Sequence, residues 1–289
     1  MKGVFTALIN SFDEEGNINE QGLREIVRYN IDVSQVDGLY VNGSTGENFM
    51  LSLEEKKKVF EIVKDEAGEE VELIAQVGAL NIFEAKELAA YATDLGYGAL
   101  SAVTPFYYKF DFEEIKDYYN SILEDVDNQM LIYSIPALTG VNMDLKQFGE
   151  LFENEKITGV KFTAPDFFLL ERLRHAYPEK LIFSGFDEML LPASVLGIDG
   201  AIGSTFNVNG RKAKDILKAV HSGDLNEARK LQKESNDLIT AILGNGLYQT
   251  IKEVLKDKGV DAGYCRQPMK KPNDEQVSGA KEISRTFLN

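Results

Sequence analysis

Short apolar, β-branched runs recur along the chain at intervals of roughly 20 to 35 residues, each followed by a charged stretch of helical period. The runs fall at residues 3–9, 37–41, 71–77, 98–103, 130–135, 157–162, 180–184 and 199–203. Their hydrophobicity is nearly continuous rather than alternating, which suits parallel strands buried on both faces. Between them the pattern predicts helices, among them 20–29, 53–66, 82–95, 112–123 and 167–177. Ser52 with Glu55 has capping-box spacing, and Gly68 stands where a C′ glycine closes a helix.

Beyond Ser204 the strands stop, and 212–221, 225–243 and 247–258 read as helices broken at Ser222-Gly223 and Gly244-Asn245-Gly246. Eight strand–helix alternations followed by helices predict an α/β chain of the (β/α)8 TIM-barrel class with additional C-terminal helices. A doubly wound sheet fits less well, because it uses fewer parallel strands and a glycine-rich first turn, and no GxGxxG or Walker loop is present. The expected organisation is one catalytic domain over 1–289, with the barrel in 1–206 and a helical extension in 207–289.

Composition narrows the partners. The 31 Lys and Arg face 47 Asp and Glu, a net charge of -16, which repels nucleic-acid phosphates and anionic lipid. An anionic substrate is still compatible, since a few oriented hydroxyls and N–H groups outweigh distant screened charge. No apolar run approaches membrane-spanning length, no signal-peptide succession opens the sequence, and the single Cys265 has no disulfide partner, so a cytoplasmic location is expected. With two histidines and one cysteine, neither a zinc site of N/S ligation nor a His-based triad is supplied.

In such barrels chemistry sits at the C-terminal ends of strands. Lys161 ends the sixth run, where it is either a strand-end lysine reaching solvent or a desolvated amine able to attack a carbonyl. Tyr133 in the fifth is either a core tyrosine or a proton relay. Gly43-Ser44-Thr45-Gly46 is either a tight turn or a carboxylate cradle of exposed N–H groups and two hydroxyls. Asp187-Glu188 is either the cap and first turn of the next helix or a pair of acceptors for polyol hydroxyls. Phe106-Tyr107-Tyr108 after Pro105 is loop packing or an aromatic wall at a subunit contact. His175, His221 and Cys265 read as structural.

Gly43-Ser44-Thr45-Gly46-Glu47, Thr104-Pro105-Phe106-Tyr107-Tyr108, Tyr133-Ser134-Ile135-Pro136-Ala137-Leu138-Thr139-Gly140 and Gly159-Val160-Lys161-Phe162-Thr163 together resemble the N-acetylneuraminate lyase and dihydrodipicolinate synthase superfamily. The similarity covers nearly the whole chain. Gly185-Phe186-Asp187-Glu188 and Gly203-Ser204-Thr205 resemble its sialic acid lyase branch. The resemblance implies class I aldolase chemistry, with Lys161 forming an imine to pyruvate or to C2 of a sugar acid. Tyr133 then shuttles the proton, assisted by Ser44 and by Tyr107 from a neighbouring subunit of a homotetramer. Ser44 and Thr45 hold the substrate carboxylate, and Thr163, Gly185, Asp187, Glu188 and Ser204 line the pocket for the sugar chain. No metal or other cofactor is implied, because the imine itself is the electron sink.

The chain departs from that pattern at Asn10-Ser11, where many relatives carry Thr-Pro, and at Ser134, where many carry Asn. Synthases that make dihydrodipicolinate carry an arginine at the place of Leu138, where it grips a second carboxylate. Three functions therefore compete: a sialic acid lyase, a condensing synthase or keto-deoxy sugar acid aldolase on the same scaffold, and a non-catalytic sugar-acid-binding barrel.

Overall fold

The computed structural model describes residues 1–288. Eight parallel strands close into a barrel in sequence order. They are β1 Gly3–Ala7, β2 Gly38–Val41, β3 Glu72–Gln76, β4 Ala99–Val103, β5 Met130–Ser134, β6 Ile157–Phe162, β7 Leu181–Ser184 and β8 Gly200–Gly203. Around them run α1 Glu20–Arg28, α2 Leu53–Ala67, α3 Ile82–Asp94 and α4 Phe112–Leu123. The short α5 Pro136–Thr139, then α6 Leu145–Phe152, α7 Phe167–Ala176, α8 Leu190–Val195 and α9 Phe206–His221 complete the ring. The extension is α10 Leu225–Asn245, α11 Leu247–Asp257 and α12 Asp274–Phe287. No helix of the described residues is long and apolar enough to cross a membrane.

The eight apolar runs and the strands coincide; β6 keeps the bounds of its run, and the other seven strands are shorter than theirs by one or two residues. The capping box at Ser52–Glu55 forms, and Gly68 ends α2 with φ of 55°. Such a cap contributes about 1 kcal/mol. Two elements differ from expectation. Helix α9 begins at Phe206 rather than 212 because tertiary contacts override the poor propensity of Asn207, Asn209 and Gly210. The Asn207 amide donates to the Ala7 carbonyl at 2.8 Å, and Asn209 donates to Ser235 Oγ at 2.8 Å. A Cβ on Gly210 would lie 2.7 Å from Val36, so only glycine lets α9 pack there. Helix α12 lies beyond the last predicted helix. Its start is a capping box between Asn273 and Gln276, and only Ala280 and Ile283 among its apolar residues are buried.

Register explains where the site sits. Residues opposite one another in parallel strands share a face, and Val103, Tyr133, Lys161 and Phe183 stand in register across β4 to β7. That parity is the barrel interior, filled by Phe5, Tyr40, Ile74, Ala99, Leu131, Tyr133, Phe183 and Ile202, while the opposite parity meets the helices. Phe5 and Phe183 pack edge-to-face within the interior at 5.3 Å. They fit because β2 offers Gly38 there: a Cβ on it would fall 2.0 Å from the Phe5 ring. The polar members of the same parity, Tyr133 and Lys161, stand near the C-terminal ends of β5 and β6.

Candidate active site

Lys161 is 4% exposed, and its amine lies 3.8 Å from the Tyr133 ring centre and 4.2 Å from that of Tyr40. Ring faces attract an ammonium but take no proton from it, whereas loss of water penalises the charge directly. Burial wins: it pulls the Lys161 amine down to about 7, against the opposing pull of the Asp187 carboxylate. An ordinary lysine is neutral in only about one molecule in 3000 at pH 7, so burial raises the reactive form more than a thousandfold. Lowering the pH protonates this amine. Capture of a carbonyl by Lys161 is expected to rise about tenfold per pH unit up to about pH 7 and then level off. A borohydride-trapping rate that kept climbing to pH 10 would mean a lysine with its ordinary basicity.

The two tyrosines beside it are not equivalent. Tyr40 Oη donates to Ser101 Oγ at 3.0 Å and is committed there. Tyr133 Oη has the Ser44 hydroxyl at 3.5 Å, a loose contact of the kind that tightens around a substrate. Burial raises the Tyr133 phenol above its usual value, partly offset by Ser44, so it rests protonated.

Ser44 and Thr45 form a single 3₁₀ turn between Gly43 and Glu47. The Thr45 hydroxyl reaches Ser204 Oγ at 2.7 Å, which joins the loop after β2 to the end of β8. Asn10 Nδ2 holds the Gly46 carbonyl at 2.6 Å from the other side. Gly185 faces Thr163: a Cβ there would stand 1.8 Å from Thr163 Oγ1, which is buried with no partner of its own. Asp187 is buried, and its Oδ2 accepts from both the N–H and the hydroxyl of Thr205, at 2.8 and 2.6 Å. Burial raises this carboxyl to about 6, with the two Thr205 donors opposing. Asp187 therefore does not cap the helix that follows it; its side chain holds Thr205 at the start of α9, while Glu188 beside it is exposed.

The structure thus brings Lys161, Tyr133, Ser44, Thr45, Ser204, Thr163, Gly185 and Asp187 to one end of the barrel. Within one chain Tyr107 does not join them. It is 81% exposed, has φ of 78°, and packs on Tyr108. A cavity of about 280 Å³ opens on Ser44, with Phe49, Val103, Phe106, Ile135, Leu138 and Tyr248 among its walls. Its walls are mostly apolar. Sequence reasoning missed Tyr40 and Thr205. Tyr40 was detectable as the inward-parity tyrosine of β2, two residues before Asn42; Thr205 stood within the Gly203-Ser204-Thr205 motif but received no role, because its contact with Asp187 depends on β8 lying beside β7.

A closed barrel that buries an amine beside a phenol near the C-terminal ends of its strands has the construction of an enzyme that handles carbonyl groups. The chain belongs to the dihydrodipicolinate synthetase family, whose model matches residues 1–285. Among its relatives, the N-acetylneuraminate lyase of Clostridium perfringens is 66% identical over 288 residues, covering 100% of both chains. The crystal structure of a Clostridium difficile protein in complex with mannosamine is 68% identical, covers 99% of each chain and superposes with a TM-score of 0.99. That of N-acetylneuraminate lyase from Fusobacterium nucleatum complexed with pyruvate is 65% identical, covers 100% of this chain and 98% of the other, and gives a TM-score of 0.96.

Proposed function

We propose that the protein is a carbon–carbon lyase that cleaves N-acetylneuraminate to N-acetylmannosamine and pyruvate through an imine on Lys161. The observation that carries the mechanism is the Lys161 amine, desolvated between two tyrosine rings and brought down to about 7. Its identity with lyases that act on this sugar acid carries the substrate.

Lys161 Nζ attacks the C2 ketone, water leaves, and an iminium forms. Tyr133 gives its proton to the departing oxygen and recovers one from the C4 hydroxyl. As that O–H bond breaks, the C3–C4 bond breaks too; its electrons move into the iminium and leave an enamine and an aldehyde. Protonation of the enamine at C3 and hydrolysis release pyruvate, and every step reverses. Ser44 and Thr45 hold the carboxylate next to C2. Thr163, Gly185, Asp187, Glu188 and Ser204 receive the polyhydroxylated tail, with the unpartnered Thr163 hydroxyl free to take a substrate hydrogen bond.

The chain works as one catalytic unit over 1–289, the barrel of 1–206 being braced by the extension of 207–289. Gln232 of α10 accepts from the Leu191 N–H at 2.7 Å and donates to the Asp187 carbonyl at 3.2 Å, which supports that reading. The active form is a cytoplasmic homotetramer in which Tyr107 of a second copy approaches the Ser44 cavity. Support comes from the solvent-facing Tyr107 and Tyr108, with Leu80 and Phe83 also exposed.

Leu138 decides against the condensing synthase. An apolar side chain at the cavity wall cannot grip a second carboxylate, which forfeits about 1.5 to 3 kcal/mol, or more than tenfold in affinity. In a panel of candidate sugar acids, pyruvate release is expected from N-acetylneuraminate. Efficient condensation of pyruvate with aspartate semialdehyde, without sialic acid cleavage, would overturn the assignment.

A further inference from the structure

Glu47 closes the cradle loop, yet no step above uses it. Its backbone has φ of 61° and ψ of 30°, the left-handed region that residues with a Cβ rarely occupy. Its carboxylate is buried completely and meets Lys252 Nζ at 2.7 Å. Its other oxygen accepts from the Arg266 N–H at 2.7 Å. Lys252 is 1% exposed and lies on α11; it also donates to the Tyr264 carbonyl. Each buried charge is thus matched by the other and by a backbone group, the condition under which such a pair is tolerated.

The pair connects residues 205 positions apart and ties the loop after β2 to two pieces of the C-terminal extension. The connection reaches the cradle in one step, because the Glu47 N–H donates to the Ser44 carbonyl at 3.1 Å. Asn10 pins Gly46 from the barrel side. Ser44 and Thr45 are therefore held in place from both ends of the chain.

We propose that Glu47 and Lys252 are positioning residues for substrate carboxylate recognition: acting through the loop, they fix where the Ser44 and Thr45 hydroxyls and N–H groups stand. The proposal rests on the reading of that loop as the carboxylate cradle. It makes the extension part of the site's construction.

The test compares Glu47→Gln, Lys252→Met and the double variant by Tm and by steady-state kinetics, with N-acetylneuraminate for cleavage and pyruvate for condensation. Lys252→Met strands a buried carboxylate and should lose Tm, whereas the double variant removes both charges and should regain most of it. Carboxylate binding should not return with the Tm. In all three variants KM is expected to rise about tenfold for both substrates while kcat falls by less than about threefold, the signature of lost uniform binding. A double variant with recovered Tm and wild-type KM would make the pair merely structural and overturn the proposal; a loss confined to kcat would do the same. Should both Lys252 variants fail to fold, the isosteric Glu47→Gln decides alone by the same KM criterion. Wild-type protein assayed alongside separates the two readings: if it turns over neither substrate, the lyase assignment falls and takes the cradle with it.

Discussion

Incubation with pyruvate and borohydride is expected to add one reduced pyruvyl group per chain, on Lys161. Borohydride fixes only an imine, so the label reports which amine reacts. Three lysines are buried to 4% exposure or less: Lys56, Lys161 and Lys252. Lys56 donates to Glu84 at 2.5 Å and Lys252 to Glu47 at 2.7 Å, so each amine is occupied by a carboxylate. Lys161 has ring faces instead, which leave its lone pair available once the proton is lost. Lys161→Ala should abolish the label and lower turnover on the order of 10⁵-fold, the advantage a positioned nucleophile holds over one from solution. Lys161→Arg should do no better, since a guanidinium stays protonated. Peptide mass spectrometry reads the site, and a pyruvyl group on any other lysine would sink the mechanism.

The strands were legible because parallel barrel strands are buried on both faces, so each shows as a dense apolar run bounded by polar helices. Lys161 and Tyr133 were legible for the converse reason. A lysine or tyrosine at the end of such a run needs a partner or a purpose. What sequence could not show is how the candidates divide between structure and chemistry. Asp187 was weighed as a cap or as a sugar ligand, and only the fold reveals one oxygen committed to Thr205. Asn10, which departs from the family pattern, turns out to hold the Gly46 carbonyl across 36 residues. The start of α9 was hidden because its residues are chosen for tertiary fit and read locally as loop. Tyr107 packs on Tyr108 and does not join the other site candidates within one chain, so no fold built from a single copy gives it a role.

Tyr133→Phe is expected to cut turnover by roughly 10² to 10⁴ while leaving end-point pyruvate trapping at Lys161 intact. Phenylalanine is the informative substitution because it keeps the ring face 3.8 Å from the amine and removes only the hydroxyl near Ser44. Desolvation of Lys161, and with it the supply of neutral amine, should persist. What disappears is the proton that leaves with the carbinolamine oxygen and returns from the C4 hydroxyl. Water can replace it slowly for imine formation over long incubation, but not at the rate of bond cleavage. Tyr40→Phe supplies the control within the same pocket. Its hydroxyl is spent on Ser101 at 3.0 Å, so its removal should cost about 1 kcal/mol of stability and little turnover. The contrast is the test. If Tyr133→Phe retained near-normal turnover, or if Tyr40→Phe lost as much, the proton relay would lie elsewhere and the Tyr133 phenol would be a packing residue.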